Sequence, residues 1–413
     1  MRIIIAAGAV VFSLLCIRIA KAEHVVLRRL DCEMLIVPAS LNGVEKLALV
    51  DTGMSTFAID ERLAVDLLQG GDYQEIVSRT MSGARRTRLY ENIKYQVQGL
   101  PVQIGNVTTH DLAECRVITA HDIQFVIGMS TLKNHVLSLS PNGAELSDVV
   151  LDSAIACKEF PITWTRGGVP ECRVQFRDGS TVLMGVDTGL NVELTLEEAH
   201  VARLCRAGEA QRVSGFKTSK ESTAEFVVVR ELEVFGVVFK NVWASVAKMD
   251  AIGLPILCHL HVTLDFPNQR VLRGAAENSG LNSFPPNAGG IYLNRTEDRR
   301  TLVLTVFPDS PGDLVGIHSG DQVLAIDGTP SEKLGVLDLR ARLRKAGKTV
   351  HLDLQRNGMP LAIDVPLKRP FEYPPKWPPR PEPTKDQLDF EKFLEEQSPG
   401  KVPVESALEP KPE

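Results

Sequence analysis

The chain has 413 residues, 44% hydrophobic and 24% charged, which is ordinary for a soluble protein and enough for two to four domains. With 46 Lys and Arg against 52 Asp and Glu, its net charge of -6 excludes a protein built to neutralise phosphates, so no nucleic-acid partner is expected. Past the amino terminus no apolar run approaches the ~18 residues of a membrane-spanning helix, which excludes a polytopic helical membrane protein.

Residues 1–22 predict a secretory signal. Arg2 supplies positive charge, residues 3–17 are almost unbroken apolar chain, and Ala20-Lys21-Ala22 puts small residues where a signal peptidase cuts. An exported protein is therefore expected, periplasmic or extracellular, with no stable membrane span after cleavage. Six cysteines remain beyond this segment: Cys32, Cys115, Cys157, Cys172, Cys205 and Cys258. They permit up to three disulfides or simply small buried thiols, and both readings stay open. Cys258-His259-Leu260-His261 superficially resembles a metal site, but it sits in strand-like sequence without a fourth ligand nearby, so no metal is expected.

From residue 23 the chain is read as one unit to about residue 150 and a second over 151–273, because the same signals recur in the same order. Asn42-Gly43 precedes the apolar run Leu47-Ala48-Leu49-Val50, which enters Asp51-Thr52-Gly53. Asp178-Gly179 precedes Val182-Leu183-Met184-Gly185-Val186, which enters Asp187-Thr188-Gly189. Each turn dipeptide predicts a hairpin whose second strand ends at the aspartate. A short helix follows in both copies. Asp60 is its expected cap in the first, and Thr195 with Glu198 is a capping box in the second, ending at Gly208. Alternating stretches such as 95–104 and 225–234 predict strands. Val126-Ile127-Gly128 then corresponds to Ala251-Ile252-Gly253, and the strand from His135 corresponds to the strand from His261. The two histidines are read as strand residues rather than catalysts.

Each copy resembles a subunit of the retropepsin-like aspartic peptidases, in which an apolar strand enters Asp-Thr-Gly and an apolar-apolar-Gly segment follows. The resemblance implies a mostly β molecule, two such lobes forming an intramolecular pseudo-dimer. It implies Asp51 and Asp187 as catalytic residues that share one proton and act together as base and acid on water, with no metal or organic cofactor. Thr52 and Thr188 would bond across the lobe interface. Gly53 and Gly189 would let backbone N–H groups approach the carboxylates, and Gly128 and Gly253 would pack beside the loops. The sequence departs from the family where a small residue normally follows Asp-Thr-Gly: here stand Met54 and Leu190. Met81-Ser82-Gly83 and Ser214-Gly215-Phe216 are read either as flaps over a protein or peptide substrate or as solvated loops. Their basic neighbours, Arg79, Arg85, Arg86 and Arg88 in one copy and Arg212, Lys217 and Lys220 in the other, would favour acidic substrate residues.

Residues 274–288 have linker composition. Beyond them, Gly289-Gly290-Ile291-Tyr292-Leu293 starts a strand, and Ser310-Pro311-Gly312-Asp313-Leu314-Val315-Gly316-Ile317-His318-Ser319-Gly320-Asp321 leads into the strand Gln322–Ile326 and a turn. Residues 289–368 resemble a PDZ domain, a small β barrel with helices. A groove helix is expected over 334–343 and closing strands over 349–355 and 361–365. The resemblance implies that a C-terminal peptide adds as a strand, its carboxylate held near Gly289, Gly290 and Ile291. A brace for the lobes is the other reading of this domain. Residues 369–413 hold 11 of the 25 prolines and are expected to be disordered, apart from one amphipathic segment over 386–397. The lobes leave one alternative to a peptidase, a catalytically inactive peptide-binding scaffold. No Gly-x-Ser-x-Gly, His-Glu-x-x-His or Walker motif offers another hydrolytic mechanism.

Overall fold

The computed structural model describes residues 24–30, 34–80, 83–119, 121–140, 143–150, 158–217, 223–274, 288–295, 300–306 and 310–368. The expected signal segment, the interior of the linker, the tail with its 386–397 segment, Cys32, Cys157, Met81, Ser82 and Lys220 lie outside these residues.

The described chain is mostly β. The first copy contains β1 (His24–Leu30), β2 (Met34–Leu41), β3 (Val44–Val50), β4 (Phe57–Asp60), helix α1 (Glu61–Leu67), β5 (Gln74–Thr80), β6 (Gly83–Val97), β7 (Gln103–His110), helix α2 (Ala113–Thr119), β8 (Ile123–Ile127), helix α3 (Met129–Leu132), β9 (Val136–Ser140) and β10 (Gly143–Ser147). The second contains β11 (Lys158–Pro161), β12 (Thr163–Trp164), β13 (Pro170–Phe176), β14 (Thr181–Asp187), β15 (Leu194–Glu197), helix α4 (Glu198–Arg206), β16 (Ala210–Lys217), β17 (Thr223–Val234), β18 (Val237–Ala247), β19 (Ala251–Gly253), helix α5 (Leu254–His259), β20 (Val262–Asp265) and β21 (Arg270–Arg273).

The strand orders of the two copies superpose. One runs β2-β3-β8-β4-β7-β6-β5 and the other β13-β14-β19-β15-β18-β17-β16, the latter with β12 added at its β13 edge. Both have the same parallel pairs, β3 with β8 and β4 with β7, β14 with β19 and β15 with β18. The copies also share a sheet, β11-β21-β20-β9-β10-β1, whose centre is the antiparallel pair Ser138↔Thr263 and Leu137↔Leu264. Exchanging one copy for the other reproduces that order. Apolar side chains from both copies form one core, from Leu35 and Phe57 through Leu137 and Leu264 to Val186 and Phe239.

Several local expectations change. Asn42 and Gly43 both have positive φ, +50° and +80°, as a two-residue hairpin demands. In the second copy only Gly179 does, at +82°, and Phe176 N–H bonds to Ser180 O at 2.8 Å, so the loop has three residues. Asp60 caps α1 through the Arg62 N–H at 3.1 Å. The Thr195 capping box does not form, because β15 runs through Glu197 and the Thr195 hydroxyl donates to Met249 O at 2.9 Å. The predicted strand 95–104 is broken by a turn at Gly99, φ +82°, between β6 and β7. His135 and His261 each sit one residue before a strand, not in it. Cys258 and His259 belong to α5 rather than a strand.

The C-terminal unit contains β22 (Ile291–Arg295), β23 (Thr301–Val306), helix α6 (Pro311–Leu314), β24 (Gln322–Ile326), β25 (Thr329–Pro330), helix α7 (Val336–Leu343), β26 (Thr349–Arg356) and β27 (Met359–Pro366). The sheet order is β22-β23-β24-β26-β27, leaving β22 on an edge beside α7. Ser310 caps α6 through the Asp313 N–H at 3.2 Å. Asp321, 1% exposed, accepts from the His318 N–H and from Arg356.

This unit covers the outer face of the first copy. Along β2, Leu35 and Val37 face the main core, while Met34 and Ile36 join Leu49, Ala58, Leu112, Ile123 and Val126 in a second apolar cluster with Ile291, Leu293, Val336 and Leu339. A sheet buried on both faces needs a continuous apolar run, and β2 has one. Its counterpart β13 alternates Cys172, Val174 and Phe176 with Glu171, Arg173 and Gln175, the pattern of a sheet with one face in water.

Candidate active site

The two Asp-Thr-Gly loops meet. β3 carries Asp51 to its end, where the Asp51 N–H bonds Ile127 O of the parallel strand β8 at 3.0 Å. β14 carries Asp187 opposite Gly253 of β19. The Thr52 hydroxyl donates to Val186 O at 2.5 Å and accepts from the Thr188 N–H at 3.0 Å. Reciprocally, the Thr188 hydroxyl donates to Val50 O at 2.9 Å and accepts from the Thr52 N–H at 3.1 Å. Both threonines are fully buried, so these four bonds form a closed set across the copies.

That set brings the Asp51 and Asp187 carboxyl groups into hydrogen-bonding contact. A Cβ added to Gly53 would fall 2.5 Å from Asp187 Oδ2, and one added to Gly189 would collide with the Asp51 carboxyl. The same glycine N–H groups bond the aspartates, Gly53 N–H to Asp51 Oδ1 at 2.7 Å and Gly189 N–H to Asp187 Oδ1 at 2.8 Å. Behind the loops, a Cβ on Gly128 would strike Thr56 O and Met54 O, and one on Gly253 would strike Val192 O.

Burial raises both carboxyls above the ordinary range. Asp187 rises further, because the Asp51 charge adds to burial. The hydrogen bond with Asp187 and the backbone N–H groups of Gly53, Met54 and Gly189 pull Asp51 back down. The result is a close pair that titrates as a unit.

Met54 and Leu190 stand where the family has a small residue; their backbone N–H groups lower the Asp51 and Asp187 carboxyls respectively, and the Met54 N–H bonds the Asp51 backbone O at 3.3 Å. The half-buried Met54 side chain packs against the outer apolar cluster. No side-chain signal marks these amide donors, so sequence reasoning missed them.

β5 and β6 pair from Gln74↔Leu89 to Thr80↔Gly83, and residues 81–82 lie outside the described residues. In the second copy Ser214 and Gly215 are not a tip. They form a bulge within β16, where the register with β17 slips between Val213 and Phe216. Three of the basic residues have defined surroundings. Arg86 and Arg88 line a surface cleft with Glu61 and Glu75, and Arg88 lies 5.0 Å over the Tyr73 ring. Arg212 pairs with Glu198 and, at 2.9 Å, with Glu225.

In the C-terminal unit, Gly290 takes φ +65° and Gly289 O accepts the Gly312 N–H at 2.8 Å, so the turn into β22 is fixed from below. Ile291 is fully buried. Cys172 and Cys205 are free thiols. Among the described residues no group of three His, Cys, Asp or Glu side chains is placed to hold a metal, and no helix is long and apolar enough to cross a membrane.

Residues 37–131 match the family described as aspartyl protease, and residues 290–367 match the PDZ domain family. The chain thus joins an aspartyl protease domain to a C-terminal PDZ domain. It is 35% identical over 96 residues to a carboxyl-terminal-processing protease of Picosynechococcus sp. (strain ATCC 27264 / PCC 7002 / PR-6). That match covers 22% of this chain and 23% of the relative, so the chain spans about a quarter of its length.

Proposed function

We propose that the chain is an aspartic endopeptidase whose active centre is the pair Asp51 and Asp187. The observation that carries this is the hydrogen-bonded contact of two carboxyls, Asp187 buried and Asp51 half-buried, from two copies of one loop. Two carboxyls this close hold one proton between them over a range of pH. The ionised member takes a proton from water as the water attacks the peptide carbonyl, and the protonated member gives its proton to the carbonyl oxygen. Thr52 and Thr188 hold the loops in register, and Gly53 and Gly189 clear the space for the pair. Metal is not part of this proposal, because the two carboxyls supply both acid and base. The PDZ domain recruits a protein tail or partner.

The test is cleavage of a denatured protein between pH 3 and 7 by the intact chain, by Asp51→Asn and by Asp187→Asn. Each substitution is expected to cost at least ~10²–10⁴-fold, the usual range for removing a general acid or base. Cleavage that survives both substitutions overturns the proposal. An absence of cleavage in the intact chain, with peptide binding retained, selects the inactive scaffold instead. The compartment belongs to the same proposal: export, with a mature amino terminus at Glu23, to be read by amino-terminal sequencing of the exported protein.

A further inference from the structure

The two copies differ most at one connection. In the second, residues 248–250 link β18 to β19. In the first, residues 111–122 link β7 to β8 and contain α2. This insertion is tied to its own lobe. The Arg116 guanidinium bonds Asp60 Oδ2 at 2.7 Å and Ile123 O at 3.2 Å, and the Leu112 N–H bonds the same Asp60 oxygen at 3.1 Å.

Its other side lies on the PDZ domain. α2 packs against both β22 and α7, the strand edge and the helix that bound the peptide groove. Leu112 and Cys115 join the cluster formed there by Ile291, Leu293, Val336 and Leu339, all four fully buried. The backbone of β22 is engaged as well. Arg340 of α7 donates from Nε and Nη2 to Leu293 O, at 3.1 and 3.0 Å. An incoming strand would need that carbonyl edge. The neighbouring Tyr292 ring is covered by the Arg340 guanidinium at 4.6 Å and by Phe226 of the β16–β17 hairpin at 5.5 Å.

We infer that the peptide groove of the PDZ domain is closed in cis by the α2 insertion, and that a peptide with a free C-terminal carboxylate enters by displacing it. The groove is then a site regulated by the protease lobe itself. A closed groove lowers apparent peptide affinity in proportion to the fraction of molecules in which it is open. Removing the insertion removes that factor. The inference rests on reading β22 and α7 as a peptide groove and not on the aspartates, so loss of peptidase activity leaves it standing.

The experiment compares the full chain with a variant in which residues 111–122 are replaced by the Lys248-Met249-Asp250 connection of the second copy. The Cys115→Glu chain serves the same comparison should the swap not fold. The probes are fluorescein-labelled heptapeptides ending in each apolar residue as free acids, with their C-terminal amides as controls. The opened chain is expected to bind at least one free-acid peptide about tenfold or more tightly than the intact chain does. In the intact chain, saturating peptide is expected to speed hydrogen exchange at residues 113–119. Equal affinity in both chains, with exchange there unchanged, overturns the closure and leaves the groove. No binding by either chain overturns the groove reading and the closure with it.

Discussion

The buried carboxyl of Asp187 is held above its ordinary range by burial and then by the charge of Asp51. The unfolded chain releases that proton near pH ~3.9, the usual value for Asp. The folded chain keeps it to higher pH. Between those two points the folded state binds more protons than the unfolded one, so stability falls as pH rises through the window and stays lowered above it. Asp187→Asn removes this penalty. We expect the variant to be more stable than the parent chain in urea at pH 7, with the advantage shrinking as the pH approaches 3. A parent chain equal or superior at pH 7 would contradict the raised carboxyl. The same residue thus sacrifices stability at the centre of the proposed chemistry, a common bargain at active sites. The threonines work in the opposite sense. Thr52→Val leaves the Thr188 N–H and Val186 O without partners in a buried site, at a cost of about 1–3 kcal/mol for each group. Thr52→Ser keeps both bonds and should recover most of that loss in the same urea titrations. Equal stability of Val and Ser at position 52 would show that the cross-copy bonds contribute nothing.

At the scale of elements, the sequence exposed what local chemistry determines. Asn42-Gly43 specified its two-residue turn because both residues accept positive φ. Asp60 announced α1 because an acidic side chain can take an N-terminal N–H. The Thr195 box failed because β15 claimed that residue for pairing, a tertiary demand that propensity does not contain. Ser214-Gly215 forms a bulge inside β16 because glycine signals an irregularity, and only the partner strand decides which kind. Asp60 also does more than its sequence context indicated. Burial would raise its carboxyl, but the Arg116 guanidinium and two backbone N–H groups outweigh burial and hold it below the ordinary range. A depressed carboxyl stabilises the fold above the unfolded value, and that contribution is lost as pH falls through the folded value. Asp60→Asn keeps a good helix cap and removes the partner of Arg116. It should cost about 1–3 kcal/mol at pH 7, with the difference from the parent narrowing below pH 4. A pH-independent difference would assign the loss to packing rather than charge.

Over the whole molecule, the arrangement of the three units follows from which sheet faces need covering. The duplicated motif could be read from Asp-Thr-Gly and its flanks, since each copy repeats short-range signals. The docking of the PDZ domain was legible only by comparing the copies: Met34-Leu35-Ile36-Val37 is apolar on both faces, whereas Glu171-Cys172-Arg173-Val174 alternates. Nothing within either strand says what covers the outer face, because the covering residues lie more than two hundred positions away. The dependence can be tested by ending the chain at Gly274. That truncation uncovers Met34, Ile36, Leu49 and Val126, each no more than 4% exposed in the full chain. Moving one such side chain from a buried site to water costs about 1.5–3 kcal/mol, so four of them together rival the net stability of an ordinary domain. An apolar patch of that size on a free surface favours association. The truncated chain should therefore bind a hydrophobic dye, sediment as oligomers and unfold at lower urea than the full chain. A truncated chain that stays monomeric, dye-silent and equally resistant to urea would mean that the outer face of the first copy is stable in water, and that the PDZ domain is only tethered to the lobes.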